Sequence, residues 1–328
     1  MKKIIDRKDN LVEDMLNGYE LAYLNRVKVV NGFILTRKHP KELGKVGVMI
    51  GNGSGHEPAM IDLVGRGLFD VNVCGRIFTA PSPLDMIQGI KLADRGAGVL
   101  ILVSSHQGDI LNAKMAVMLA KAEGINAKMV VLWDDMFSAP KGMESERRGT
   151  AGLFFTFKIV CQCAEEGYSM DELISMAEAV RDNTRTLTVA VEGGTHPETG
   201  LKTFELPEDE IEVGMGVHGE AGSGRMKITS AEKIVKYLLD NITEDKPFID
   251  NDKVLVLVNN CGSTTRMELM IIYKNIVKYL KRKNIEIVGN FVGTYVTTQE
   301  MAGVAISLCK VNEKEKELFL APCDSTLF

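Results

Sequence analysis

The sequence has neither a long apolar run nor a long block of charge of one sign. No uninterrupted apolar stretch reaches the roughly 18 residues that a membrane-spanning helix needs. The N-terminus, Met-Lys-Lys-Ile-Ile-Asp-Arg-Lys-Asp, is too charged to form the apolar core of a signal peptide. Acidic residues outnumber basic ones by 44 to 39, for a net charge of −5. We therefore expect a cytoplasmic protein that binds neither a membrane nor nucleic acid directly.

Cysteine is scarce, and its spacing is not that of a metal site. The six cysteines form no CxxC pair, and the tightest spacing is Cys161-Gln162-Cys163. In a helical pattern these two thiols point to different faces, which disfavours a shared metal ion. We interpret all six as reduced thiols rather than as disulfide partners, which agrees with a cytoplasmic location.

The 328 residues do contain a repeated alternation of apolar strands and helical segments. The apolar segments 98–104 and 128–134 are separated by a helical pattern, as in a parallel sheet with right-handed crossovers. Length alone predicts about two domains. We predict an α/β protein with two domains, 1–185 and 186–328, each a mostly parallel or mixed sheet flanked by helices.

One glycine-rich stretch, 214–225, presents a histidine. It reads Gly-Met-Gly-Val-His-Gly-Glu-Ala-Gly-Ser-Gly-Arg and contains His218. Glycine permits positive φ and a close approach of the backbone to a ligand. A helix follows, which Thr229 and Glu232 are predicted to open as a capping box, as Ser169 and Glu172 are predicted to do for an earlier helix. We expect His218 to lie between a strand and that helix, the usual place for ligand chemistry in open α/β sheets. From this stretch alone, a surface turn with an incidental histidine is the alternative.

A second glycine-rich stretch, 51–58, reads Gly-Asn-Gly-Ser-Gly-His-Glu-Pro. It follows the apolar strand 45–50 and precedes the helical pattern 59–67, an arrangement typical of a small-ligand or phosphate cradle. It lacks the Gly-Lys-Ser/Thr ending of a Walker A loop and does not match GxGxxG strictly. His56 is therefore its informative residue, with a satisfied loop histidine as the alternative.

A third strand-end position carries a carboxylate. Asp109 follows the strand 98–104 and lies near the first turn of the next predicted helix, where the macrodipole favours the ionised form. Because the carboxyl ends of parallel strands meet at one edge, His56 and Asp109 are expected to share a site, with His218 brought in from the second domain. Two histidines and a carboxylate also match a facial metal triad. The three residues come from separate loops without HxH or HxxxH spacing, so we predict no metal.

Several motifs occur together along the chain, each next to a predicted loop. They are GSGHEP at 53–58, FTAPSP at 78–83, GDILN at 108–112, ERRGTAG at 146–152, GVHGE at 216–220 and MEL at 267–269. In this combination and order, over nearly the whole chain, the sequence resembles the substrate-binding K subunits of bacterial dihydroxyacetone kinases.

The resemblance implies a homodimer that binds a short-chain ketose such as dihydroxyacetone as a covalent hemiaminal on His218. His56 is implied to hydrogen-bond and steady the adduct, Gly53 to contact the ligand through its backbone, and Asp109 to act as general base in phosphoryl transfer. It also implies no cofactor in this chain. ADP/ATP and Mg are expected on a partner L subunit, and the phosphate comes ultimately from phosphoenolpyruvate through a phosphotransferase-type M subunit.

The chain departs from the family at three loops, one of which is 259–265, where the family has a glycine-rich form. Ala80 stands where the family usually has serine, and 104–107 reads Ser-Ser-His-Gln where it usually reads Lys-Asn-Tyr-Thr. Ala80, Ser104 and His106 are therefore further candidate substrate contacts, and His106 is a candidate to replace part of the missing lysine. Two functions remain open: a kinase subunit for a short ketose, and a kinase-silent relative that binds the ketone and reports it to a transcription regulator.

Overall fold

The computed structural model describes residues 3–246 and 248–328. It contains two compact units, each built from more than one chain segment. The first unit comprises Met1–Leu132, Thr156–Ala179 and Ala321–Phe328, and the second comprises Trp133–Phe155 and Val180–Leu320. Among the described residues, no helix combines the length and apolarity needed to cross a bilayer.

These units differ from the predicted single division of the chain at 185/186. Two bridges between residues far apart in sequence explain the difference. Asp135 forms a parallel bridge with Thr186, which ties 133–155 to a strand of the second unit. At the end of the chain, Arg66 pairs with Asp324, which ties 321–328 to the first unit. Both connections join residues far apart in sequence, so periodicity does not predict them.

The helices and strands follow one another in an α/β order. Up to the middle of the chain they are α1 (Leu11–Ala22), β1 (Val27–Val30), β2 (Ile34–Arg37), β3 (Gly47–Ser54), β4 (Val71–Ile77), α2 (Pro83–Ala93), β5 (Val99–Ser104), α3 (Gln107–Ala122), β6 (Ala127–Leu132), α4 (Leu153–Glu165) and α5 (Met170–Asp182). They continue with β7 (Thr184–Glu192), β8 (Glu210–Val213), β9 (Gly224–Lys227), α6 (Ala231–Asp245), β10 (Lys253–Asn260), α7 (Arg266–Arg282), β11 (Glu286–Gly293), β12 (Ala302–Lys310) and α8 (Glu313–Leu320).

The sheet of the first unit has the order β1-β2-β4-β3-β5-β6. Strands β4, β3, β5 and β6 are parallel, whereas β1 and β2 add an antiparallel edge. β3 and β5 are buried along their whole length, as expected for central parallel strands covered on both faces. On one face, Met49, Val73 and Ile101 form a core with Met86 and Ile90 of α2. This core holds the carboxyl ends of β3, β4 and β5 side by side.

The sheet of the second unit has the order β11-β10-β12-β7-β8-β9. Only β10 and β11 are parallel; the other four pairings are antiparallel. Its core packs α6 and α7 against one face through Leu239, Ile276, Val256 and Ile306. The predicted fold class, two sheets flanked by helices with one mostly parallel and one mixed, is confirmed.

One of the two predicted capping boxes is present and the other is wrong. Ser169 and Glu172 exchange hydrogen bonds at the start of α5, as predicted. The residue that caps α6 is Ser230, without a side-chain capping bond, and Glu232 pairs with Lys278 instead. The two patterns look alike in sequence, and a side chain with a partner on another helix is not available for capping.

The helix predicted over 59–67 is also wrong, because only Ile61–Leu63 forms a short 3-10 turn there. Gly65 and Gly67 break the pattern. A Cβ at Gly65 would lie 2.0 Å from the carbonyl oxygen of Asp324, and Gly67 has φ of +74°. The segment is therefore bridged to Asp324 through Arg66 and turns at 65–68 instead of continuing as a helix.

Candidate functional site

In the first unit, the loops that follow β3 and β4 pack against each other. Strand β3 runs to Ser54, so the first part of the glycine-rich stretch is strand rather than loop. Gly53 needs to lack a side chain, because a Cβ there would lie 2.6 Å from the backbone nitrogen of Thr79. The ring of the buried His56 lies 5.1 Å from the ring of Phe78. Phe78 has φ of 54°, a strained backbone conformation of the kind that clusters at functional sites.

The loop after β5 joins the same edge of the sheet. Helix α3 begins at Gln107, so Asp109 lies in its first turn, as predicted. The Ser104 hydroxyl lies 3.0 Å from Nδ1 of His106, and the same nitrogen lies 3.9 Å from Oδ2 of Asp109. The start of α3 touches the loop after β4, because a Cβ at Gly108 would lie 3.3 Å from the Cβ of Ala80. The candidate residues of the first unit therefore lie at this edge of the sheet, on strand ends, on the loops that follow them and on the first turn of α3.

In the second unit, His218 lies on a hairpin between β8 and β9, not between a strand and a helix as predicted. The two strands are antiparallel, with Val213 opposite Gly224. Strand β9, Gly-Arg-Met-Lys, is short, largely exposed and at the edge of the sheet. A strand without an apolar face has no alternating pattern, which is why the sequence predicted only a glycine-rich connection there.

His218 is paired with a carboxylate two residues away. Oε2 of Glu220 accepts the backbone N–H of His218 at 2.8 Å, and Oε1 lies 2.9 Å from Nδ1 of the imidazole. Burial acts to raise the pKa of Glu220, but the hydrogen bonds that it accepts outweigh burial and hold this pKa well below its usual range. An ionised carboxylate can only accept, so Nδ1 carries the proton and the lone pair of the neutral ring is on Nε2. An imidazole in this state is a nucleophile.

Further bonds fasten the hairpin. The hydroxyl of Thr298 donates to the carbonyl of Val217 at 2.6 Å. Within the hairpin, the N–H of Gly216 donates to the carbonyl of Glu220 at 3.0 Å. Gly219 has φ of +82°, which favours glycine. The backbone on both sides of His218 is therefore held in place. The imidazole is presented on a rigid support rather than on a loose turn.

Two charged residues, Arg148 of the ERRGTAG motif and the earlier Asp135, support the same hairpin. Arg148 donates from Nη2 to Oδ2 of Asp135 at 2.7 Å and to the carbonyl of Gly214 at 3.0 Å. Burial raises the pKa of Asp135 to about 6; Arg148 opposes this rise and the adjacent Asp134 adds to it. Glu220, Arg148, Asp135 and Thr298 were not among the predicted site residues. Only the first two lie within the motifs, and their contacts are visible only in the fold.

Known proteins of one family are similar to this chain over most of its length. The Dak1 domain family matches residues 17–327. The dihydroxyacetone-binding subunit DhaK of PTS-dependent dihydroxyacetone kinase 1 from Listeria innocua is 39% identical over 326 residues, which is 99% of each chain. The structure of the C. freundii dihydroxyacetone kinase in complex with AMP-PNP and Mg2+ superposes with a TM-score of 0.90 at 27% identity, over 99% of this chain and 60% of that one.

A second solved structure, the dihydroxyacetone kinase operon co-activator Dha-DhaQ, matches with a TM-score of 0.89 at 29% identity, over 96% of this chain and 97% of that one. The family match over residues 17–327 and the 39% identity to the Listeria DhaK subunit over nearly the full length are sufficient to assign the family. The chain belongs to the Dak1 domain family.

Proposed function

We propose that this protein is the dihydroxyacetone-binding subunit of a phosphotransferase-dependent kinase and that it captures a short-chain ketose covalently on His218. The observation that carries the proposal is the His218–Glu220 pair, in which Oε1 of the carboxylate lies 2.9 Å from Nδ1 of the imidazole and favours a proton on that nitrogen. The membership in the Dak1 family and the DhaK relative support the choice of ligand. Glycerol has no carbonyl group, so a covalent bond to the ketone carbon separates dihydroxyacetone from glycerol.

The capture step balances with the groups present. The Nε2 lone pair of His218 attacks the ketone carbon, a C–N bond forms, and the carbonyl π electrons move to oxygen. The ring then gives up its Nδ1 proton and the oxygen gains a proton, which leaves a neutral hemiaminal with a hydroxyl group. Glu220 stabilises the positive charge that the ring carries between these two proton transfers.

In the phosphoryl transfer that follows, Asp109 is proposed as the general base for a terminal hydroxyl of the ketose. The hydroxyl proton passes to Asp109, the hydroxyl oxygen bonds to the γ-phosphorus of ATP, and the bond from that phosphorus to the β–γ bridging oxygen breaks to release ADP. His56 is proposed to hydrogen-bond the bound ketose, and Gly53 to offer its backbone. Ala80, Ser104 and His106 are proposed as neighbouring contacts that adapt the loops to the ligand.

The nucleotide and magnesium are proposed to reside on a separate L subunit, with a phosphotransferase-type M subunit passing on phosphate from phosphoenolpyruvate, and this chain is proposed to act as a homodimer. The PTS-dependent name of the Listeria relative supports the phosphate source. The nucleotide-bound C. freundii kinase is longer than this chain, which matches 60% of it. That difference supports a nucleotide site outside this chain.

The test combines the purified protein with its cognate L subunit, ATP, magnesium and dihydroxyacetone, and measures phosphorylated product. We expect product from the wild type and a loss of at least a hundredfold in Asp109→Asn. Asp171→Asn is the matched control, because Asp171 also lies in the first turn of a helix but its side chain is 87% exposed. Equal rates in the wild type and Asp109→Asn would refute the role of the base.

A kinase-silent co-activator is the second candidate, and two observations favour it. The Dha-DhaQ co-activator matches over 96% of the chain. Near Asp109, Ser104 stands where the family usually has lysine, and its hydroxyl contacts the ring of His106. Position 104 therefore does not carry the permanent positive charge of a lysine. An adduct on His218 without product, in the presence of an L subunit that is active with another K subunit, would support this second function.

A further inference from the structure

We propose that Arg148 is a positioning residue for His218: anchored by Asp135, its guanidinium holds the hairpin backbone in the conformation that presents the imidazole. The inference rests on the proposed function of His218, because it concerns how that side chain is held for capture of the ketone. Arg148 itself is not proposed to touch the ligand.

Arg148 bridges a fixed carboxylate and the hairpin with one planar group. Its Nε and Nη2 donate to Oδ2 of Asp135 at 3.0 and 2.7 Å, and Nη2 also donates to the carbonyl of Gly214 at 3.0 Å. Gly214 is where the chain leaves β8 and enters the hairpin that carries His218. A guanidinium can satisfy two acceptors in fixed directions, whereas an ammonium is a point charge that does not reproduce this geometry.

The other end of the guanidinium lies beside the carboxylate that orients His218. A Cβ at Gly216 would lie 2.2 Å from Oε2 of Glu220 and 2.6 Å from Nη1 of Arg148. Both side chains therefore close over the same Cα, and glycine is required there to admit them. Arg148 thus supports the hairpin at Gly214 and also at the point where Glu220 folds back towards His218.

Asp135 is a rigid anchor for this purpose. Its side chain is only 3% exposed, and its backbone is held by the bridge to Thr186 and by an N–H bond to the carbonyl of Arg148 at 3.1 Å. Asp135 and Glu220 are charged groups beside the guanidinium, and Asp134 lies beside Asp135. A buried carboxylate that loses its cation is destabilised, so the pair is expected to stay closed at neutral pH.

The experiment measures adduct formation by NMR with dihydroxyacetone carrying 13C at the carbonyl carbon, at pH 8, where imidazoles are generally neutral. We expect Arg148→Lys and Asp135→Asn each to lower the adduct equilibrium constant about tenfold or more. Arg225→Lys is the matched control, because Arg225 lies on β9 of the same hairpin and pairs with Glu212. We expect this control to stay within twofold of the wild type.

A coupled kinase assay separates positioning from a general loss of structure. Looser presentation of His218 should raise KM about tenfold and change kcat by less than threefold, whereas partial unfolding lowers the apparent kcat at unchanged KM. Thermal unfolding of each variant gives the folded fraction. Because the two substitutions lie at opposite ends of the ion pair, one variant still tests the inference if the other fails to fold. Equal adduct in the wild type and Arg148→Lys would overturn this inference alone, and no adduct in the wild type would overturn the proposed function with it.

Discussion

Replacement of Glu220 by glutamine tests how the environment makes His218 nucleophilic. The substitution keeps the size of the side chain but removes its charge, and the new amide can donate as well as accept. Two hydrogen bonds are affected, from the N–H of His218 at 2.8 Å and from its Nδ1 at 2.9 Å. The amide no longer selects the tautomer that leaves the lone pair on Nε2.

The expected magnitude follows from these two bonds. A hydrogen bond to a charged group contributes about 1.5–3 kcal/mol and one between neutral groups about 1 kcal/mol. The Glu220 side chain is 35% exposed, so solvent screening weakens its charged hydrogen bonds. We therefore take the difference between the charged bonds of Glu220 and the neutral bonds of glutamine to be about 1 kcal/mol. This difference corresponds to a loss of about fivefold in the adduct equilibrium constant.

The assay is titration of the protein with carbonyl-labelled dihydroxyacetone, with the adduct followed by 13C NMR. Glu210→Gln is the matched control, because Glu210 lies on β8 of the same hairpin and its side chain is partly buried. The control should match the wild type. An unchanged adduct constant in Glu220→Gln would show that the carboxylate does not set the state of His218, and the reasoning would be refuted.

The remaining predictions concern the supports of the hairpin. Thr298→Val removes the bond to the carbonyl of Val217, so it should lower the free energy of unfolding by about 1 kcal/mol, seen as a fall of a few degrees in melting temperature. The loosened hairpin should also lower the adduct equilibrium constant, and Thr199→Val serves as the exposed control. Asp135 has its pKa raised to about 6 from an ordinary 3.8, so as the pH falls the folded state binds this proton at a higher pH than the unfolded state does. Protonation of Asp135 should therefore increase the free energy of unfolding by on the order of 3 kcal/mol as the pH falls from about 6 to 4. Denaturant titrations of Asp135→Asn should lack that gain; an identical pH dependence in the two proteins would contradict the assignment.

The positions of His56 and Asp109 could be predicted because parallel strands impose them. Strands β3 and β5 are apolar and are followed by polar loops, and the carboxyl ends of neighbouring parallel strands meet at one edge. The first-turn position of Asp109 follows from the same pattern, since helix α3 must begin soon after the strand ends. Local sequence is sufficient when a single element determines where a side chain lies.

The setting of His218 could not be predicted in this way. Strand β9 is short and exposed, so it carries no alternating pattern, and the sequence indicates only a link to a helix there. Arg148 and Asp135 support that hairpin from a segment about 70 residues earlier in the chain, and such contacts depend on the folded sheet. Spacing in the sequence carries no signal for them.

The most direct test of the account compares wild-type protein with His218→Asn in the presence of carbonyl-labelled dihydroxyacetone. The account predicts a protein-bound 13C resonance of a carbon with four single bonds in the wild type and its absence in His218→Asn. The resonance should be retained in His196→Asn, which changes a histidine on the connection between β7 and β8. No such resonance in the wild type, or its persistence in His218→Asn, would contradict the central claim.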